Sequence, residues 1–262
     1  MDAIPIWILF TATVVVIAIA IELGYRLGNS IRLRSKDEKE SSVSTAAGSI
    51  LGMLAFFLVF MFGIVYDRYD SKKELVREEA NAIRTSFMRS DFLPEKDQHE
   101  AEALLIKYVD IRLEIVKTHD LAKVKKALNE SSRIQNQLWN MAVINARKDM
   151  NSDVAALYIE SLNDMNNLQA MRIAVGLQTR IPSGIWLLLY ILVILGMFSI
   201  GYQTAVGGSS RKSWVMSIMV LSFSLIIILI VSLDRPGEGF ITVSQQPLMD
   251  LRTWMVEVIK TP

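Results

Sequence analysis

The sequence predicts an all-α membrane protein, with four transmembrane helices in a two-plus-two arrangement around a soluble helical bundle insert. Two observations lead to this. Four stretches, about Ile6 to Tyr25, Ser44 to Tyr66, Ser183 to Tyr202 and Ser213 to Leu233, are long and apolar enough to cross the hydrocarbon layer, which takes roughly 20 residues each. Between the second and third, residues 67–181 hold 18 Lys or Arg and 18 Asp or Glu, with helical periodicity and no β alternation. The expected division is 1–66 for two spans and their short loop, 67–181 for a charged helical domain, 182–233 for two further spans, and 234–262 for a hinge and an amphipathic C-terminal helix.

The first span lacks a preceding basic region and a following small-residue cleavage site, so it reads as a retained span rather than a signal peptide. Its one internal charge is Glu22, four residues before Arg26. A carboxylate there faces a cavity or pairs at the interface, and the i+4 arginine favours the pair. The loop that follows carries Arg26, Arg32, Arg34, Lys36 and Lys39, whereas no Lys or Arg precedes the span. Positive charge favours the cytoplasmic side, which puts the insert in the periplasm of a bacterial inner membrane. Arg68, Lys72, Lys73, Arg77, Arg172 and Arg180 lie close to the spans on the insert side and reduce that asymmetry.

The second span is the most informative. Ser44, Gly48 and Gly52 form a small-xxx-small ladder, which allows close approach of helix backbones. At 100° per residue, Thr45, Ser49, Gly52, Phe60, Gly63 and Asp67 all fall within roughly 40° of Phe56. The same face continues through Asp70, Glu74, Glu78 and Asn81. One stripe is thus polar, then small, aromatic, small and acidic. Facing a water-filled axis, hydroxyls carry hydrated ions, aromatic rings gate by dewetting, and acidic rings concentrate cations. Facing other helices, the same stripe is packing plus ordinary i,i+3 pairs, Asp70 with Lys73 and Glu74 with Arg77.

In the insert, Leu75, Ala82, Ile83 and Phe87, then Leu104, Tyr108, Ile111 and Ile115, then Leu128, Ile134, Leu138, Met141 and Ile144, recur at helical spacing. Pro94 marks a helix restart, and Thr118-His119-Asp120 and Asn151-Ser152-Asp153 offer N-caps, which gives about four helices. No break separates the second span from the first insert helix, or the last insert helix from Arg180-Ile181-Pro182, so both spans are expected to run on as long rods. Asp234-Arg235-Pro236-Gly237-Glu238-Gly239 reads as a hinge. Pro247 then opens a helix with Leu248, Leu251, Trp254, Met255 and Val258 on one face, suited to the membrane interface or to packing on the insert or a neighbouring subunit.

Catalytic chemistry is not expected. There is no cysteine, and neither His99 nor His119 is read as having a ligand partner at i+3 or i+4, so no metal site and no cofactor are expected. Nucleophile elbows and phosphate-binding glycine loops are missing, and a formal net charge of +1 gives no argument for nucleic acid.

Asp67-Arg68-Tyr69-Asp70, Glu78-Glu79-Ala80-Asn81-Ala82-Ile83, Leu93-Pro94-Glu95, Ile181-Pro182 before Trp186, Asp234-Arg235-Pro236, Gly239, Val243-Ser244 and Pro247-Leu248 together resemble the bestrophin-like domain family of bacterial membrane proteins, over nearly the whole chain. The resemblance implies an oligomeric ion channel whose second span lines the pore, with Phe56 and Phe60 near a hydrophobic neck. It marks Glu79, Asn81, Asp234, Arg235 and Pro236 as motif residues with structural roles. Bestrophins are anion channels with a cytosolic helical domain, whereas the acidic stripe and the loop charges here point to cations and the opposite side. The expected partners are the bilayer, permeating ions and further copies of the chain, as a tetramer or pentamer. A non-conducting sensor, scaffold or assembly factor is the alternative. A secondary transporter ranks third, because no span holds the interior Pro–Gly break of a binding helix.

Overall fold

The computed structural model describes residues 4–34, 40–118, 120–178, 180–208, 214–235 and 241–260. Among them every regular element is helical: α1 (Ile6–Arg34), α2 (Glu40–Arg89), α3 (Glu95–Lys117), α4 (Leu121–Ala146), α5 (Asp153–Ile173), α6 (Ser183–Val206), α7 (Trp214–Asp234) and α8 (Gln246–Lys260), with a 3₁₀ turn at Ser90–Phe92 and a π turn at Ala174–Gln178. Helices α1, α2, α6 and α7 are each long and apolar enough to span a membrane. The chain is an all-α, multi-pass membrane protein. It divides into two compact units, residues 1–68 with 180–241 and residues 69–179 with 242–262.

In the first unit, α1 and α6 press together through glycine. A Cβ on Gly24 would lie 2.0 Å from the Phe198 carbonyl oxygen, and one on Gly201 would lie 2.0 Å from that of Ile21. Only hydrogen fits at these positions, so the two backbones meet as in small-residue membrane contacts. The membrane part of α2 approaches differently: Leu54 and Leu51 side chains reach Gly196 on α6. One face of α2, with Ala47, Leu54, Leu58, Met61 and Val65, is buried. The hydroxyl of Thr13 sits 3.1 Å from that of Tyr190, a polar contact inside the spans.

In the second unit, the end of α2 forms an antiparallel bundle core with α3, α4 and α5. Ile83, Leu105, Leu138 and Leu162 are all fully buried in it. The Asp120 carboxylate accepts from the backbone N–H of Ala122 and Lys123, and Ser152 accepts from that of Ala155, so both expected N-caps form. Pro94 precedes α3 at its N-cap. Leu248, Leu251 and Met255 of α8 are buried in the same core. Trp254 packs edge-on against Phe87, with the Arg84 guanidinium 4.5 Å from its ring centre. The apolar face of α8 is therefore used on the bundle.

The expected rod from the last insert helix into the third span does not form. Helix α5 ends at Ile173, the π turn follows, and α6 starts afresh at Ser183 behind Pro182, which has φ −53° and ψ 138°. Proline offers no backbone N–H to continue the ladder and disfavours helical geometry in the residue before it. The second span does continue unbroken into the insert as α2.

Candidate functional site

The stripe singled out on α2 is the face that its own chain leaves open. Thr45, Ser49, Gly52, Phe56, Phe60, Gly63 and Asp67 in the first unit, and Asp70, Glu74, Glu78 and Asn81 in the second, are all exposed. Phe56 and Phe60 show 73% and 57% of their surface, while Leu54, Leu58 and Met61 on the other side of the same helix show at most 5%. A Cβ placed on Gly48, Gly52 or Gly63 meets nothing within 4 Å among the described residues. The glycines of the α2 ladder are thus not used for packing among the described residues; that role falls to Gly24, Gly28 and Gly201. Ser49 returns its hydroxyl to the Thr45 carbonyl at 2.9 Å, which satisfies it without a neighbouring helix. Glu74 pairs with Arg77 at 3.2 Å on the exposed surface, where such pairs stabilise by about 0.2–0.5 kcal/mol.

Glu79, one residue from the stripe, is fully buried. The 3.6-residue period turns it 100° away from Glu78 and into the bundle. There it meets side chains from two other helices. Arg112 Nε of α3 lies 2.9 Å from Glu79 Oε1, an ion pair without in-line hydrogen-bond geometry. Arg172 of α5 donates to Glu79 Oε2 through Nη1, and its Nη2 donates to Gln245 Oε1 at 3.1 Å. The Tyr108 hydroxyl lies 3.0 Å from Glu79 Oε1 and 2.9 Å from the Gln169 side chain. With one proton, it donates to the carboxylate, and the Gln169 amide turned about its axis donates to it in return. Burial, reinforced by the Glu79 charge, pushes the Tyr108 phenol well above its ordinary value. Burial also lowers the Arg172 guanidinium, with Glu79 opposing and Arg112 adding to the effect. One carboxylate thus neutralises one of two buried cations while tying α2, α3, α5 and the segment before α8 together.

Asp234 plays the corresponding part in the first unit. Its Oδ1 accepts from Arg68 Nη1 at 2.8 Å and from the Ile181 backbone N–H at 3.3 Å. Its carbonyl accepts from Arg180 Nη1. Arg235 is also buried and donates to the Ile4 carbonyl at 2.6 Å. The end of α7, the start of α6, the N-terminal entry to α1 and the middle of α2 are held together by this knot. Pro236 and His119 lie outside the described residues.

Glu102 does stand at i+3 from His99, and its carboxylate lies 3.6 Å from Nδ1. That is a pair only, and no group of three or more metal-ligating side chains exists among the described residues. Arg112 is not among the residues marked by the sequence, and Arg172 enters there only as a charge near the spans. Both fall in phase with core positions, Leu105, Tyr108 and Arg112 on α3 and Leu162, Met165, Gln169 and Arg172 on α5. A cation on an apolar stripe is the signal that could have found them. Glu22 pairs with Arg26 on the exposed surface.

The sequence matches the bestrophin-like domain family over residues 11–248. The chain belongs to the bestrophin-like family. Among solved structures, a membrane protein matches with TM-score 0.69 at 16% identity, over 96% of this chain and 97% of the other. A mutant of a bacterial bestrophin homologue from Klebsiella pneumoniae matches with TM-score 0.67 at 16% identity, over 97% and 98% of the two chains. At that identity the likeness is one of fold. No curated protein matches the sequence.

Proposed function

We propose that this bestrophin-like chain assembles with copies of itself into an ion channel, with the membrane part of α2 around a central axis. Thr45, Ser49, Gly52, Phe56, Phe60 and Gly63 line the pore, and the two phenylalanine rings form its narrow apolar neck. Asp67, Asp70, Glu74 and Glu78 form an acidic vestibule, which leans the channel toward cations. The observation that carries this is the exposure of the stripe: a spanning helix buries Leu54, Leu58, Met61 and Val65 in its own chain, and its open side carries hydroxyls, glycines, aromatic rings and carboxylates in line, flanked by Met53 and Val59. Around a symmetric ring the carboxylates repeat, and the vestibule potential grows with copy number. The spans within 1–66 and 182–233 carry the pore, and 67–181 carries the vestibule. We place the channel in the bacterial inner membrane with the insert in the periplasm, on the charge of the first loop.

The test is potassium and chloride flux from liposomes under an imposed gradient. A pore on α2 predicts that Phe56→Trp or Phe60→Trp lowers flux and that Asp67→Asn shifts ion preference toward chloride. Absence of flux from a verified oligomer, including Phe56→Ala, would move the assignment to a non-conducting scaffold or sensor. Because the chain has no cysteine, single cysteines in the insert, read with an impermeant thiol reagent on whole cells, test its side of the membrane.

A further inference from the structure

The first unit contains an apolar groove of about 390 Å³ where α1, α2 and α6 end, lined by Leu27, Ile31, Ala46, Ala47, Phe198 and Tyr202 among others. Its origin is local. Gly24, Gly28 and Gly201 bring α1 hard against α6. Opposite that pair, α2 presents alanine methyls, too short to fill the wedge. The gap is bridged at one point, where Gln203 Nε2 donates to Ser44 Oγ at 3.1 Å. The volume lies within the usual range of ligand sites, about 300–1,000 Å³.

The depth and the charge of the groove identify its occupant. Tyr25 and Tyr202 close the apolar stretches of α1 and α6, and tyrosine at the end of a span marks the boundary between hydrocarbon and headgroups. Among the described residues no carboxylate lines the groove. One turn beyond Gly28 and next to Ile31 stands Arg32, exposed, with Nη1 donating to the Ala205 carbonyl at 3.3 Å. A guanidinium has five N–H donors in a fork that matches phosphate oxygens. An apolar slot at the tyrosine level, with the Arg32 guanidinium beside its Ile31 lining on the loop side, fits an amphiphile with a negative head. We infer that the groove binds one acyl chain of an anionic phospholipid, with its headgroup phosphate at Arg32. The site lies on the face of α2 away from Thr45 and Ser49, and it stands whether or not the chain conducts ions.

The experiment is native mass spectrometry of the full-length protein, delipidated in mild detergent and titrated with phosphatidylglycerol or phosphatidylcholine. Phosphatidylglycerol is expected to be retained about ten-fold more strongly than phosphatidylcholine. Ala46→Trp fills the groove and should abolish the retention of both; Arg32→Gln should remove the preference for phosphatidylglycerol while leaving a folded protein. Equal retention of the two lipids by the parent, or undiminished phosphatidylglycerol binding in both variants, overturns the proposal. Oxidation of Ala46→Cys separates out a second copy of the chain as occupant. A disulfide-linked dimer whose yield phosphatidylglycerol does not reduce would overturn the proposal, and protection by phosphatidylglycerol supports it.

Discussion

Removing the Glu79 carboxylate should destabilise the bundle more than any other single charge change. Its side chain is fully buried, and those of Arg112 and Arg172 are 5% and 12% exposed, so water screens the cluster little. At 2.9 Å from Arg112 and an effective dielectric constant of about 20, the Coulomb attraction is about 6 kcal/mol, much of it offset by the desolvation of both ions. Breaking a buried pair by deleting one partner costs about 3–5 kcal/mol, because the cation left behind stays buried and uncompensated. Glu79→Gln leaves two such cations and keeps the shape. The expected loss is about 3–5 kcal/mol, or roughly 10–15 °C in the melting temperature of a unit this size. Trp139 and Trp254 lie in this unit, so intrinsic fluorescence on heating follows it in the full-length protein once Trp7, Trp186 and Trp214 of the other unit are replaced by Phe. The double change Glu79→Gln with Arg172→Gln should cost at least about 1 kcal/mol less than the sum of the single changes. A shift under about 3 °C for Glu79→Gln, or simple additivity in the double variant, would refute the reasoning.

Three further outcomes follow from the same geometry. Gly24→Ala and Gly201→Ala put a methyl group into a backbone carbonyl and should each cost about 1–3 kcal/mol or more, whereas Gly48→Ala and Gly52→Ala should leave the thermal stability of the chain unchanged. Tyr158 is buried with a hydroxyl that has no hydrogen-bond partner among the described residues, so Tyr158→Phe should be neutral or stabilising by up to about 1 kcal/mol; Tyr108→Phe should destabilise by about 1–2 kcal/mol, since it strips a donor from Glu79. Burial raises the phenols of Tyr108 and Tyr158, so their contribution is present below the unfolded value of about 10 and is lost as pH rises above it. Alkaline melting curves should therefore fall more shallowly in either phenylalanine variant.

The membrane spans were legible because length and apolar composition are properties of single segments. The exposed stripe on α2 was legible for the same reason, since a helical period alone fixes which residues share a face. What could not be read were pairings across the chain. Glu79 stood out only as part of a motif, and nothing in its neighbourhood shows that Arg112 and Arg172 close on it from two other helices. Gly24 and Gly28 form a small-residue ladder as plain as that of Ser44, Gly48 and Gly52, yet among the described residues only the glycines of the first meet another helix backbone. The difference lies in the partner, Phe198 to Tyr202 on α6, and not in the ladder. The break before α6 is written in Pro182, which disfavours helical geometry in the residue before it.

The weld between α1 and α6 has a consequence for how the protein is made. Gly24 meets its partner at Phe198, about 170 residues later in the chain, so at about 5–20 residues per second the first helix waits roughly 10–35 s for it. Throughout that interval its glycine face borders lipid, and the nearest newly made helix is α2, which offers a small-residue ladder of its own. Early pairing of those two ladders would be a kinetic trap. In the finished chain a Cβ added at Gly48 or Gly52 would meet nothing within 4 Å among the described residues, so the order of synthesis has not dictated the order of contacts.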